Sequence, residues 1–113
     1  MATITDAKCW VIPDPAVGGY PGLEIPVTWT VTRVHGYVVG GTSADFNIEE
    51  RTVIGSAGTN IQTADLQAVP AGANTTDLAN PSLAAGNTLW VDVSAVVGSP
   101  TALVITIRYT YEV

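Results

Sequence analysis

Apolar and polar positions alternate along most of the chain from Ile25 to Val113, the period-2 pattern of strands that bury one face and wet the other. In residues 88–97 the odd positions are Leu89, Val91, Val93, Ala95 and Val97. Asp92 and Ser94 fall between them, with Trp90 and Val96 as apolar exceptions. In residues 101–113 the odd set is Leu103, Ile105, Ile107, Tyr109 and Tyr111, set against Thr106, Arg108, Thr110 and Glu112. Both odd faces are predicted to be buried. Between the two runs, Gly98-Ser99-Pro100 has tight-turn chemistry and predicts that they pair as an antiparallel hairpin closing the domain.

Residues 26–39 are dense in Thr, Val and aromatics, which favours strand over helix and predicts one long strand, or two bent at Gly36. After the Gly40-Gly41 turn, residues 44–52 alternate around Phe46 and Ile48, with Asn47 and Glu49 assigned to the outside. Residues 61–69 read as a further strand, whereas 55–60 and 70–87 carry turn chemistry. Only 60–66 and 76–85 have room for a short helical turn, and neither has the length or caps of a stable helix. Pro13, Pro15, Pro21 and Pro26, interleaved with Gly18, Gly19 and Gly22, remove backbone donors and permit positive φ, so 13–26 is predicted to be an extended arm or long loop.

These elements predict an all-β chain of six to eight strands: an antiparallel β-sandwich, jelly-roll-like, with an extended N-terminal arm. The domain division is 1–24 for the N-terminal segment and arm, and 25–113 for the sandwich. Its 113 residues fit one domain able to fold without disulfides or a structural metal.

Composition then points towards contact as the mode of action. Only 12% of residues are charged against 47% hydrophobic, so much of the surface must be Thr, Ser, Asn, Gly and Ala, which lose water at little cost on meeting another protein. The net charge of −6 leaves Lys8, Arg33, Arg51 and Arg108 too few to form a phosphate-binding stripe, which argues against nucleic acid. No apolar run reaches the roughly 20 residues of a membrane helix, and residues 1–9 lack the basic start and apolar stretch of a cleaved signal. A soluble protein made in a cytoplasm is the expectation. Cys9 is read as a small buried or half-buried thiol with no assigned role.

Catalytic groups are scarce. His35 is the single imidazole, so no nucleophile–base–orienter set can be assembled around it, and it reads as a strand histidine beside a glycine. One His and one Cys cannot furnish a zinc site, and the carboxylates Asp45, Glu49, Glu50, Asp65 and Asp77 lack the alternating-Asp loop of a calcium site. Gly40-Gly41-Thr42-Ser43 lacks the lysine and following helix of a phosphate-binding loop. No catalytic residue, metal or cofactor is assigned. Trp29 and Tyr109 fall on inward positions, while Trp10 and Trp90 do not and are candidate interface anchors. Trp10, Pro13, Pro15 and Tyr20 are candidate contacts because an apolar arm without internal pairing gains order most readily from a partner.

The run 31–51, VTRVHGYVVGGTSADFNIEER, followed by 83–110, LAAGNTLWVDVSAVVGSPTALVITIRYT, resembles small structural proteins of tailed bacteriophages over about residues 27–111. That resemblance implies a jelly-roll β-sandwich, often trimeric, that decorates a capsid or forms a neck or tail accessory. The implied role is a decoration, or cement, protein on the virion's outer surface. Its partners would be the major capsid protein and itself, as a homotrimer. Tail or neck accessory work and a glycan-binding module resting on the tryptophans are the alternatives. The segment 10–26 lies outside the resemblance and would suit clasping a neighbour.

Overall fold

Strand after strand forms where β-branched and aromatic side chains alternate with small polar ones, and the register of those strands decides where each face goes. A computed structural model describes residues 2–113, with no helix among them. The strands are β1 (Thr3–Pro13), β2 (Gly18–Glu24), β3 (Trp29–Val39), β4 (Ser43–Arg51), β5 (Thr59–Asn60), β6 (Leu66–Ala68), β7 (Ala73–Thr75), β8 (Ser82–Leu83), β9 (Thr88–Val97) and β10 (Ala102–Glu112). They make two antiparallel sheets packed as a β-sandwich. The first runs β1-β10-β3-β7, with β8 also on β3, and the second runs β2-β9-β4-β5, with β6 also on β4.

The core lies between the sheets. Leu89, Val91 and Val93 of β9 meet Leu103, Ile105, Ile107 and Tyr109 of β10 there, together with Phe46, Ile48, Val34 and Val38. Trp29 and Tyr109 stack within it, ring centroids 3.9 Å apart and planes 17° from parallel, which adds a ring–ring attraction to their burial. Gly36 does not bend β3, which runs unbroken through it. A β-carbon there would lie 2.5 Å from Phe46 Cε1, so the glycine exists to admit the Phe46 ring from the opposite sheet.

Two bulges reset the alternation. Asp45 pairs with Ala95 and Phe46 with Val93, leaving Ser94 unpaired on β9. Beyond it Val96 turns towards the core and Val97 outward, so the odd-face expectation holds through Val93 and fails at Val97. On β3 the unpaired residue is Thr32, whose hydroxyl donates to the Arg108 carbonyl at 3.2 Å. The bulge puts Trp29 and Val31 on the same buried side as Val34 and Val38.

The expected hairpin of residues 88–97 with 101–113 does not form. β9 lies between β2 and β4 in the second sheet, and β10 between β1 and β3 in the first, so Gly98–Thr101 is an arch crossing the sandwich. Each strand buries its apolar face against the other across the core, which a flat hairpin would leave half exposed. Positive φ at Gly98 (79°) and Ser99 (52°) turns the arch, and the bonds Thr42 N to Val97 O and Thr101 N to Val39 O anchor it to its neighbours.

The segment expected to be an arm is woven into both sheets. β1 pairs with β10 along its whole length, and β2 pairs with β9. Prolines are admitted because both are edge strands, whose amides need no partner on one side; pairing is interrupted between Pro21 and Glu24. Of residues 61–69 only β6 is strand, and the turn-rich stretch 70–87 holds the short strands β7 and β8.

Replacing Gly36 with Ala is expected to destabilise the protein by roughly 1–3 kcal/mol, the usual cost of an overpacked core. Gly55→Ala, where a β-carbon meets nothing within 4 Å, should be near neutral. Urea denaturation of the two variants beside the parent checks both.

Candidate functional site

Because the chain keeps crossing between sheets, its connections gather at the two ends of the sandwich. At one end lie 14–17, 40–42, 69–72 and 98–101, tied by Asp14 N to Thr101 O, Thr42 N to Val97 O and Val38 N to Val69 O. At the other lie 25–28, 52–58 and 84–87, tied by Ile25 N to Asn87 O and Gly86 N to Ile25 O.

Both ends expose aliphatic side chains, Val27, Val53 and Ile54 at the second, but the second also carries the bonded carboxylate of Glu50 and the Arg51–Glu49 pair, whereas the first is poorer in charge. Val17, Val11, Val97 and Val39 are 68%, 55%, 52% and 47% exposed. Register places Pro13 beside Ala102 and Ala102 beside Val39, while Val17 shares a shallow depression of 460 Å³ with Pro15, Val96 and Pro100. Asp14 is the single charged side chain in that depression. Asp14 and Ser99 both hold left-handed backbone, with φ of 45° and 52°, so this end keeps its shape at some conformational cost.

The sequence-predicted contacts divide. Pro13 is exposed at the apolar end, whereas Pro15 is buried in the β1–β2 connection. Tyr20 is half-buried, and its hydroxyl donates to the Ala16 carbonyl at 3.0 Å while accepting from the Ala16 amide at 2.9 Å, which fixes the connection beside Val17. Trp10 packs partly against the core from β1, its indole nitrogen buried without a hydrogen-bond partner among the described residues. Trp90 stands on the outward side of the second sheet, under the Arg51 guanidinium 4.0 Å from its ring, and donates to Asp92 at 3.2 Å. Pro13, Pro15 and Tyr20 therefore converge, and Trp10 and Trp90 lie apart from them. The four exposed valines were not singled out, although three of them flank turn residues in the sequence.

Asn47 and Glu49, assigned to the outside, do point away from the core but are buried, 4% and 6% exposed, beneath residues 58–65. Gln62 explains this. Its side chain accepts from the Ile48 amide at 3.1 Å and donates to the Phe46 carbonyl at 3.1 Å between β5 and β6, where the Ile48 carbonyl accepts from the Ile61 amide at 2.7 Å. Asn47 answers by donating to the Gln62 carbonyl and accepting from its amide. Glu49 accepts from the Gly58 amide at 2.7 Å and pairs with Arg51 at 3.4 Å.

Glu50 ties down the opposite end, accepting from the Ala84 amide and the side chains of Asn80 and Asn87. Burial pushes its carboxyl up, but these three donors outweigh burial and hold it below the ordinary value of 4.5. His35 sits on β3 opposite Thr106, with its Nε2 against Gly72. Cys9 is exposed on β1, contrary to the buried thiol expected, because β1 is an edge strand and the odd residues of its run face outward. No group of three His, Cys, Asp or Glu residues able to hold a metal ion occurs among the described residues. A cleft of 270 Å³ opens beside Trp29 and Tyr109, lined also by Asp6, Lys8 and Tyr111. Burial first, and then the Asp6 charge, raise the Tyr109 phenol above its ordinary value. The Trp29 and Tyr109 rings cover one face of each other and the side chains are 1% and 2% exposed, so neither offers a stacking face to a ligand.

No family model and no curated protein matches the chain. Among solved structures, one from "Bacillus endospore appendages form a novel family of disulfide-linked pili" is similar at 16% identity and a TM-score of 0.44, over 97% of this chain and 89% of that one. At that distance the likeness adds no argument to the fold described above.

Since the folded pKa of Glu50 is depressed, its contribution to stability is present above pH 4.5 and is lost as the pH falls through the folded value. Glu50→Gln should therefore destabilise the protein at pH 7 and progressively less below pH 4.5. Thermal unfolding of both proteins from pH 7 to 3 measures the convergence.

Proposed function

We propose that this chain is a structural component that works by adhesion rather than catalysis, seating its apolar end against a protein scaffold. In its finer form the reading is a decoration, or cement, protein: made in a host cytoplasm, carried on the outer surface of a phage capsid, and bound there to the major capsid protein as a homo-oligomer, with a trimer as the expected state. The observation that carries the reading is the exposed valine cluster of Val11, Val17, Val39 and Val97, grouped at one end and nearly free of charge. Exposed apolar side chains gathered at one end are costly in water and gain most from a partner surface. Few charged groups must lose water there, which lowers the cost of contact.

The winding supports the same reading. The chain changes sheet between β1 and β2, β2 and β3, β3 and β4, β6 and β7, β8 and β9, and β9 and β10. With β5–β6 and β7–β8 each taken as one divided strand, this winding favours the jelly-roll-like reading of the sandwich that the phage resemblance implies. The glycan-binding alternative loses ground, because the Trp29 face is covered by Tyr109 and Arg51 lies over Trp90.

Val17→Asp combined with Val97→Asp should leave the fold intact, since both side chains are exposed, and weaken binding to particles washed free of the protein by more than tenfold. Two lost valine contacts of about 1.5 kcal/mol each would suffice for that. Co-sedimentation with washed particles gives the answer, and unchanged binding would refute the apolar end as the seat.

A further inference from the structure

Charge is scarce in this protein and unevenly placed. Arg33 and Arg108 are directly opposite one another in the register of β3 with β10, both on the outward side of the first sheet. Like charges so paired destabilise a sheet. Neither arginine forms an ion pair among the described residues, where the single salt bridge is Arg51 to Glu49. His35 lies on the same outward side, two residues along β3 from Arg33. Among the outward residues of β1, β10 and β3 there is one carboxylate, Glu112, and it accepts from the Thr3 hydroxyl at 2.7 Å.

The outward side of the second sheet has the opposite sign. Asp45 and Asp92 project from β4 and β9, and Asp65 lies over the same side, accepting from Asn47 and from Ser94. Their hydrogen-bond donors are neutral: Trp90 for Asp92, Ser94 and Asn47 for Asp65. Arg51, the one cation there, is held by Glu49. One molecule thus presents a face of net positive charge and a face of net negative charge on opposite sides of a sandwich measuring 46 × 30 × 22 Å, whose broad side exceeds the roughly 800 Å² per partner of a standard interface.

We propose that the outward face of the first sheet in one copy seats on the outward face of the second sheet in the next, with Arg33 and Arg108 of one copy meeting Asp45, Asp65 and Asp92 of its neighbour. The two surfaces differ, so the contact is head-to-tail. It builds a ring or an open stack, not a closed two-fold pair. Tyr37 on the cationic face supplies apolar area around the charges. This self-contact is centred on the faces of the sandwich and leaves Val17, in the connection between β1 and β2, free for the scaffold.

Sedimentation velocity of the full chain, at low and at high salt, tests it with two charge-reversed variants. Wild type should associate at low salt and dissociate by more than tenfold in apparent Kd at high salt. Arg33→Glu/Arg108→Glu has two acidic faces and should be monomeric; Asp45→Lys/Asp92→Lys has two basic faces and should be monomeric as well. An equimolar mixture of the two should associate again, because each then presents the face the other lacks. A monomeric wild type at low salt, a variant that still associates, or a mixture that stays monomeric while both variants show strand circular dichroism would overturn the proposal. A monomer that still binds washed particles would leave the adhesion reading standing.

Discussion

The arches at Gly40–Thr42 and Gly98–Thr101 hold the architecture together, because they pack backbone against backbone. A β-carbon on Gly41 would lie 2.5 Å from the Pro100 nitrogen, and one on Gly98 would lie 2.7 Å from Thr42 Oγ1. Side chains larger than hydrogen at these positions would pry the arches apart, and positive φ at Gly40, Gly41 and Gly98 is needed to turn them. With the arches in place, β3 lies across from β4 and β9 across from β10. The apolar faces of all four strands then share one core. The outer strands β1 and β2 extend the same arrangement, one in each sheet, through the connection that Tyr20 fastens.

Everything outward follows from that winding. Because connections collect at the ends, exposed aliphatic side chains appear at both: Val17, Val39 and Val97 at one, and Val27, Val53 and Ile54 beside the polar knot around Glu50 at the other. Because register places Arg108 opposite Arg33, the first sheet's surface is cationic, while β4 and β9 carry acids to the other side. The Gln62 side chain bonds the Ile48 amide and the Phe46 carbonyl between β5 and β6, and the segment it anchors buries Asn47 and Glu49. These features share a physical logic. Most polar groups inside are satisfied by one another, with the Trp10 indole nitrogen and Arg51 Nε as exceptions among the described residues, and the outward charges face whatever the protein meets.

Much of the fold is legible in the sequence. Alternation alone identifies the inward sets Leu89-Val91-Val93 and Leu103-Ile105-Ile107-Tyr109, and it places Trp29 in the core. It misleads after Ser94, since a bulge costs one residue of phase and carries no side-chain signature of its own. Gly98-Ser99-Pro100 marks a turn, but turn chemistry does not reveal whether the chain returns along its own sheet or crosses to the other; that depends on which face each strand must cover. The proline and glycine content of 13–26 describes a strand poor in donors as well as it describes an arm, and the pairing partners that decide between them lie 64 to 89 residues away. The candidate site is legible in part. Pro13, Pro15 and Tyr20 converge on the apolar end, but the valines that dominate its surface are indistinguishable in sequence from core valines.

The structural role proposed above requires the chain to be present in the assembly it serves in numbers set by that assembly's symmetry. Quantitative mass spectrometry of particles isolated from the cells that make it measures this directly, as the copy number of this chain relative to the major shell protein. A ratio comparable to that of the shell protein is the predicted result; absence from every such particle would contradict the account.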